Sequence, residues 1–293
     1  MDVLTKLIEL LAVEAVETNV YLGQSQDLGF KAVFGGQVLG QSIMAAKNTV
    51  EGRVPHSLHA YFLRPGWVDE PIFYEVDMIR TGASFTTRRV VAKQGGRAIF
   101  NLAVSFQKPE EGFDHQAEKP SVPGPDGLPS ELELLRKVQH KIPEKLRDKF
   151  TCDRPIEIRV LDPVDNFRPH KRPAKKYSWF RAVHEVPNDP MIQSALLAYA
   201  SDYGLATTAM LPHGVTFFDP SIQIASIDHA MWFHRPINMS DWHLYEKDST
   251  SASGGRGFNR GSIYSQDGTL VASVAQESLI RRREKPQVSD KPI

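Results

Sequence analysis

The segment HAYFLRPG (59–66) returns in the second half of the chain as HAMWFHRPI (229–237). The Arg-Pro dipeptide within it recurs at an offset of 171 residues. A second match keeps almost the same offset, because residues 88–96 resemble residues 260–268, and both predict a strand, a turn and another strand. Two matches in the same order at a nearly constant offset predict an internal duplication.

In each half, an apolar helix is expected before a run of strands. Residues 35–50 open with a glycine pair, and their apolar side chains follow a helical spacing. The core-facing positions are Leu39, Ile43, Ala46 and Val50. Residues 191–211 are apolar on nearly all sides, so this second helix should be largely buried. One buried helix followed by antiparallel strands, occurring twice, predicts an α+β fold in which each sheet wraps around a helix.

A polar bridge separates the two halves. Residues 108–130 are rich in proline, glycine and acidic side chains, which is typical of a linker. After it, residues 130–150 predict an exposed helix that is broken near Pro143, and a strand follows. The predicted units are an N-terminal domain (1–118), a linker with a helix (119–150) and a C-terminal domain (151–293).

Composition restricts the classes of partner and the compartment. Lys+Arg and Asp+Glu both total 35 in 293 residues, so no global field attracts nucleic acid, and an anion must be met by a local patch. The single cysteine, Cys152, fits a reducing compartment, and no metal or cofactor motif is present. The N-terminus lacks the pattern of a signal peptide, no stretch of the sequence is long enough to span a membrane, and the chain ends in KPI rather than SKL. We therefore expect a cytoplasmic protein.

Three polar residues stand out against apolar neighbours, and each allows two interpretations. Asp202 lies in the predicted second helix, where a buried carboxylate needs donors around it, although a partly exposed position explains it equally well. Ser226 lies between apolar residues of the segment 222–236, and if that segment is one strand it shares a face with Trp232. Its hydroxyl can donate and accept at a site, although a small residue bonded to the backbone is the simpler interpretation. Gln276 ends an apolar strand and points inward, where its amide fixes a loop or holds a polar ligand such as water.

Other conspicuous residues carry weaker signals. His229, His234 and His243 form no metal signature and are interpreted as core or loop histidines. Arg88 and Arg89 follow a turn, where contact with a phosphate or ordinary strand-edge charge is possible. The basic runs 170–176 and 281–285 are suited to nucleotide phosphates, although such runs are usually solvated surface.

Taken together, these segments resemble the acyl-CoA thioesterase II family, whose members are double hot-dog enzymes of bacteria and peroxisomes. The resemblance covers nearly the whole chain and is least clear in residues 108–150 and the last ten residues. It implies two tandem hot-dog domains, each an antiparallel sheet wrapped around a central helix. The strongest likenesses are IQIASIDHAMWFHRP (222–236), STSASGGRGFNRGSIYSQDGTLVASVAQE (249–277), ASDYG (200–204), FGGQVLGQ (34–41) and SFTTRRV (84–90).

The resemblance also implies an activity and a site. Asp202, Ser226 and Gln276 match the residues with which the family binds a water molecule, except that this sequence has Ser226 where the family has threonine. The implied reaction is hydrolysis of medium- to long-chain fatty acyl-CoA to free acid and coenzyme A, without a cofactor, and the implied assembly is a homodimer or higher homo-oligomer. The backbone N–H of Gly36 is a candidate oxyanion donor. An enoyl-CoA hydratase with the same fold and a non-catalytic acyl-CoA-binding or lipid-binding module remain the alternatives.

Overall fold

A computed structural model describes residues 1–29 and 32–283. The ending KPI, Glu284 and Lys285 of the second basic run, and the end of the predicted C-terminal domain lie outside the described residues. The helices are α1 (Val3–Leu11), α2 (Gly35–Lys47), α3 (Glu131–Lys137), α4 (Glu144–Thr151) and α5 (Pro190–Ser201), with 3₁₀ segments at Gln139–Lys141 and Ala206–His213. The strands are β1 (Glu14–Glu17), β2 (Val20–Gly23), β3 (Val54–Phe62), β4 (Ile72–Thr81), β5 (Phe85–Gln94), β6 (Arg97–Gln107), β7 (Ile156–Val160), β8 (Lys175–Ala182), β9 (Ile222–Ser226), β10 (Asp228–Phe233), β11 (His243–Ser253), β12 (Arg256–Ser265) and β13 (Leu270–Arg282).

Within the described residues, the strands form one antiparallel sheet in the order β1-β2-β4-β5-β6-β3-β10-β13-β12-β11-β8-β7, and β9 pairs with β13. The order of the first half, read outward from β3, is repeated in the second half outward from β10. The two half-sheets therefore meet along β3 and β10. This is the predicted α+β arrangement of two related halves, while the exact domain boundaries stay a prediction.

Side-chain contacts repeat between the halves at the predicted offset. Arg64 donates from Nη1 to the carbonyl oxygen of Ala98 at 2.7 Å, and Arg235 donates from Nη1 to that of Leu270 at 2.9 Å. An exposed ion pair of 2.9 Å between Arg89 and Asp77 has its counterpart between Arg260 and Asp248. The equivalent β3 and β10 positions therefore differ by 171.

The register corrects one detail of the first sequence match. His59 pairs with Ala230, while Leu58 pairs with Met231. With an offset of 171, His59 corresponds to Ala230, and buried Leu58 corresponds to buried His229. The two histidines that align by eye, His59 and His229, are therefore one residue out of register.

The two long helices pack antiparallel on each other. A Cβ on Gly36 would lie 2.3 Å from the carbonyl oxygen of Tyr199, and one on Gly40 would lie 3.1 Å from that of Ala195. Glycine at positions 36 and 40 is therefore required by the close approach of two backbones. As a result, the N-terminus of α2 meets the C-terminus of α5.

Three predicted elements have different limits in the structure. The second helix ends at Ser201 and Asp202 is its C-cap, so residues 191–211 are not one helix. The segment 222–236 is not one strand, because Ile227 interrupts it by donating its N–H to Glu277 and accepting from Phe62. After Ile227, the side chains that point into the core are at odd-numbered positions instead of even-numbered ones. His229 is therefore buried, while Trp232 is 37% exposed.

The bridge agrees with its predicted character, and a further helix lies at the N-terminus. The predicted exposed helix is divided into α3 and α4, and Pro143 is the N-cap of α4. α1 places Leu4, Leu7 and Leu11 into the core and is amphipathic. None of the helices in the part of the chain that the structure describes is long and apolar enough to cross a membrane.

Candidate active site

The structure brings Asp202, Ser226 and Gln276 together from three separate segments. Nε2 of Gln276 donates to Oδ1 of Asp202 at 2.7 Å and lies 3.1 Å from Oγ of Ser226. The Ser226 hydroxyl also lies close enough to the Asp202 carboxyl group to lower its pKa. A carboxylate, a hydroxyl and an amide thus form one cluster joined through Gln276.

Asp202 occupies this position because α5 ends there. The side chain is 6% exposed, so burial raises the pKa of its carboxyl group above the usual value. Hydrogen bonds from Gln276, from the backbone N–H of Gly36 and from Ser226 oppose that rise. The N–H of Gly36 reaches Oδ2 at 3.1 Å, and the positive end of the α2 dipole faces the carboxylate. The site therefore holds a carboxylate with an increased affinity for a proton, as a general base requires.

The amide of Gln276 has more acceptors around it than hydrogens. Its Nε2 carries two hydrogens but lies within hydrogen-bond distance of three acceptors, on Asp202, Ser226 and Nδ1 of His229, the last at 3.2 Å. The negative charge of Asp202 fixes the amide with nitrogen toward the carboxylate. The remaining hydrogen is divided between Ser226 and His229, so a shift of either acceptor redirects it.

His229 is the site neighbour that sequence reasoning missed. Its ring is fully buried, its Nδ1 lies 4.0 Å from Oδ1 of Asp202, and burial lowers its pKa to about 3. Because Nδ1 accepts from Gln276, Nε2 carries the proton and donates to Oγ of Ser201 at 3.0 Å. Ser201 in turn donates to the carbonyl oxygen of Ala198. The sequence interpretation of His229 as a core or loop histidine agrees with its burial, but its contact with the cluster depends on the interruption at Ile227.

Further buried hydrogen bonds hold the chain on both sides of Asp202. The hydroxyl of Tyr245 donates to the carbonyl oxygen of Ser201 at 2.7 Å, just before Asp202. After it, Oδ1 of Asn259 accepts from the N–H of Ala209 at 3.0 Å. Both side chains come from the inner face of the sheet, so β11 and β12 position the turn that carries the carboxylate.

The three weaker candidates lie in different environments. Gly36 is at the cluster, but its N–H donates to Asp202. Arg88 is 2% exposed and uses all five N–H donors on Thr49, Arg80, Thr81 and Thr87. It contacts the far end of α2, on the order of 20 Å from Gly36 at 1.5 Å per residue. Arg88 is thus a structural residue, which corrects its prediction as a phosphate ligand, whereas Arg89 remains exposed.

The other two histidines lie outside the cluster. His234 contacts Oγ of Ser273 at 2.9 Å, and His243 is buried with Nδ1 against the carbonyl oxygen of Asp241. Among the described residues, no group of three or more His, Cys, Asp or Glu side chains is arranged to hold a metal ion.

Comparisons with known proteins agree with this fold. A family model described as acyl-CoA thioesterase matches residues 145–279, and one described as acyl-CoA thioesterase N-terminal domain matches residues 24–107. Acyl-CoA thioesterase 2 of Haemophilus influenzae is 44% identical over 281 residues, covering 96% of this chain and 98% of that protein. The chain belongs to the acyl-CoA thioesterase family. It is therefore an enzyme of the thioester hydrolase class, as the sequence resemblance implied.

Solved structures of related proteins support the fold of this thioesterase. The crystal structure of acyl-CoA thioesterase II TesB2 from Mycobacterium marinum superposes with a TM-score of 0.76 at 37% identity, covering 95% of this chain and 99% of that one. A hot-dog protein of unknown function from Alicyclobacillus acidocaldarius superposes at 0.78 with 20% identity, covering the same shares, and supports the fold alone. The predicted double hot-dog fold is confirmed.

Proposed function

We propose that this thioesterase hydrolyses medium- to long-chain fatty acyl-CoA to free fatty acid and coenzyme A, with a water molecule activated by Asp202, Ser226 and Gln276. The observation that carries the proposal is the 2.7 Å contact between Gln276 and a buried Asp202 whose carboxyl pKa is raised. Such a carboxylate is a suitable base for water at neutral pH.

In the proposed reaction, Asp202 removes a proton from water while the water oxygen attacks the thioester carbonyl carbon. Gln276 and Ser226 orient the water and the carboxylate. The N–H of Gly36, which donates to Asp202 in the resting site, is the proposed oxyanion donor. Protonation of Asp202 weakens it as an acceptor, which frees this N–H as the oxyanion develops. The tetrahedral intermediate then breaks the carbon–sulfur bond, and the proton passes from Asp202 to the leaving thiolate.

The test is hydrolysis of palmitoyl-CoA followed with a thiol-reactive dye. Asp202→Asn keeps the shape of the side chain but removes the base, so we expect turnover to fall by about 10²-fold with substrate binding retained. Ser226→Ala should cost less, because water partly replaces a hydroxyl. Near wild-type turnover by Asp202→Asn would remove the carboxylate from the mechanism. A chain-length series on the wild type then defines the preferred acyl group.

The two alternatives, a hydratase and a non-catalytic binding module, predict different results in the same assay. A hydratase cannot turn over a saturated acyl-CoA, and a binding module releases no thiol. A hydratase of this fold would need a histidine beside Asp202, and His229 lies 4.0 Å away on β10. Both nitrogens of His229 are hydrogen-bonded within the protein, to Gln276 and Ser201, which leaves this ring without a group to offer a substrate.

Compartment and assembly complete the proposal. A cytoplasmic location is supported by the exposed free thiol of Cys152, which suits a reducing environment. Association into a homodimer or higher homo-oligomer is supported by exposed aromatic side chains beside the β3–β10 seam, where Tyr61 is 55% and Trp232 is 37% exposed. Light scattering of the purified protein measures the assembly directly, and a monomer at assay concentration would reject it.

A further inference from the structure

The two basic runs that sequence analysis left open converge on one cleft. Lys171 from the first run meets Arg281 and Arg282 from the second, and Arg256 from the hairpin between β11 and β12 completes the set. We call this the basic cleft; it has a volume of about 420 Å³ and an apolar floor that includes Ile222 and Ile280. The four cations come from segments that lie far apart in the sequence.

The positive charge of the basic cleft is only partly neutralised. Arg256 pairs with Glu277 at 2.8 Å, and Arg282 lies near Asp219, whose carboxyl pKa it helps to lower. Within residues 1–29 and 32–283, neither Lys171 nor Arg281 takes part in an ion pair. Four cations thus face two carboxylates in a protein whose total formal charge is zero. Such a local excess is a site for an anion with more than one charge.

A two-stranded ribbon connects the basic cleft to the catalytic cluster. β9 and β13 pair from Ser226–Ser278 to Ile222–Arg282. Alternate residues of a strand share a face, so Gln276 and Arg282 lie on the same side of β13. Six residues separate them, or about 20 Å at 3.3 Å per residue. The sequence prediction ended this strand near Gln276, and the additional residues of β13 carry the cleft.

The separation fits the substrate of the proposed function. Coenzyme A carries a pyrophosphate and a 3′-phosphate on its adenosine, and a pantetheine arm joins them to the sulfur. That arm has the reach of about five extended residues, roughly 17 Å. The remaining few ångströms lie within the length of an arginine side chain, so a thioester carbonyl at Asp202 allows the phosphates to reach the basic cleft. The apolar floor formed by Ile222 and Ile280 offers a surface to adenine.

We propose that the basic cleft binds the nucleotide phosphates of coenzyme A. This inference rests on the proposed function, because it assumes that the thioester is attacked at Asp202. Arginine is suited to the role, since its guanidinium donates two parallel hydrogen bonds to a phosphate. The basic cleft is proposed in place of the phosphate site predicted at Arg88 and Arg89, because Arg88 is enclosed and Arg89 already pairs with Asp77.

Two substrates with the same acyl group separate the nucleotide from the rest of the molecule. Dodecanoyl-CoA carries the phosphates, and S-dodecanoyl-pantetheine lacks them. For Arg282→Gln we expect KM for dodecanoyl-CoA to rise about tenfold, the scale of one charge-assisted contact, with kcat within about twofold. Hydrolysis of dodecanoyl-pantetheine should be unchanged. Lys171→Gln should show the same selectivity, and higher salt should raise the wild-type KM for dodecanoyl-CoA more than the variants' KM.

Matched controls use arginines outside the basic cleft. Arg260→Gln removes an exposed arginine paired with Asp248, and it should leave both substrates unaffected. Arg89→Gln removes its counterpart in the first half and tests the site predicted from sequence. A selective rise of the KM for dodecanoyl-CoA in Arg89→Gln, but not in Arg282→Gln, would move the phosphate site to β5 and overturn the proposal. Equal changes for both substrates, or none, in Arg282→Gln would also overturn it.

A binding measurement keeps the two proposals distinguishable. Calorimetry with adenosine 3′,5′-bisphosphate requires no catalysis, and we expect Arg282→Gln to weaken its binding about tenfold relative to wild type and Arg260→Gln. Wild-type protein that binds this nucleotide but hydrolyses neither thioester would refute the proposed function and leave the basic cleft intact. Hydrolysis of dodecanoyl-CoA with no binding difference between Arg282→Gln and Arg260→Gln would refute the basic cleft as the phosphate site and leave the proposed function intact.

Discussion

The two halves of this thioesterase share one architecture but fill equivalent positions with different chemistry. The sheet registers show which residues are equivalent. In β13, Ala275 pairs with Arg260, and Gln276 is the next residue. In β6, Ala103 pairs with Arg89, and Val104 is the next residue, so Val104 occupies the position equivalent to Gln276. By the same registers, Leu58 corresponds to His229 and Arg88 to Asn259. The first half retains the scaffold of the cluster formed by Asp202, Ser226 and Gln276 without its polar groups.

The helix ends explain why the two positions diverged. The C-terminus of α5 carries Asp202, and the sheet offers it the amide of Gln276. The C-terminus of α2 instead meets the buried guanidinium of Arg88, which donates to the carbonyl oxygen of Thr49. A cation is favourable against the negative end of a helix dipole, so Arg88 stabilises this end. The cleft beside it is lined by Val54, Phe106 and Met191 and contains no carboxylate among its described residues. The two halves therefore have a polar cluster at one helix end and a buried structural arginine at the other.

The largest expected effect comes from giving the second half the side chain of the first. Gln276→Val removes the donor to Asp202 and leaves the carboxylate with less support, so we expect kcat for palmitoyl-CoA to fall by about 10²-fold. The control is Val104→Ala, which should cost stability but leave kcat within about twofold, because β6 carries no catalytic group. Circular dichroism verifies folding, and a Gln276→Val enzyme that retains most of its turnover would break the comparison.

The pH profile tests which group of the second half titrates during catalysis. The raised pKa of Asp202 means that the carboxylate acquires a proton at a higher pH than an exposed aspartate, whose usual value is 3.8. Activity is present above that pKa and falls about tenfold for each pH unit below it. We expect the acid limb of kcat/KM to have a midpoint above 3.8 and to disappear in Asp202→Asn. A limb that persists in this variant at the same midpoint would identify another base.

His229 provides a smaller and more specific test. His229→Leu introduces the leucine that the first half has at the equivalent position, Leu58. The change removes an acceptor of the Gln276 amide, so we expect kcat to fall about tenfold because the amide is misoriented, with KM little changed. His229 has a pKa of about 3 and stays neutral at higher pH, so the acid limb should keep its midpoint. His229→Asn, which retains an acceptor, should recover part of kcat. An equal loss in both variants would indicate a packing effect instead of positioning.

Local patterns in the sequence identified the duplication, because a repeat is visible within a few residues. They marked Asp202, Ser226 and Gln276 only as candidates, and it was the resemblance to the thioesterase family that grouped the three into one site. What escaped prediction depends on distant partners. The interruption at Ile227 requires backbone groups of Phe62 and Glu277, and it turns His229 into the site. Arg88 is enclosed only because the end of α2 lies above it. These contacts join segments that no short pattern relates.

The smallest expected effect concerns stability and a second difference between the halves. Asp248 and Asp77 are equivalent, so the residues before them, Lys247 and Val76, are equivalent too. The second half therefore has a buried lysine where the first has a buried valine. Its ammonium donates to Ser178, and burial together with Lys176 lowers its pKa from 10.5 to about 7. Between these values the unfolded chain binds the proton that the folded protein lacks, so stability rises with pH. Below about pH 7 the folded protein must hold a buried charge.

Lys247→Met removes this charge while keeping most of the side-chain volume. We expect the melting temperature to increase by roughly 3 °C at pH 6, an effect that shrinks as pH approaches 10.5. Differential scanning calorimetry across this range measures the slope, with the exposed Lys6→Met as the matched control. If Lys247→Met and wild type show parallel pH dependence, the ammonium is solvated or paired in solution. Lys247 would then carry no stability cost at the position that Val76 fills in the first half.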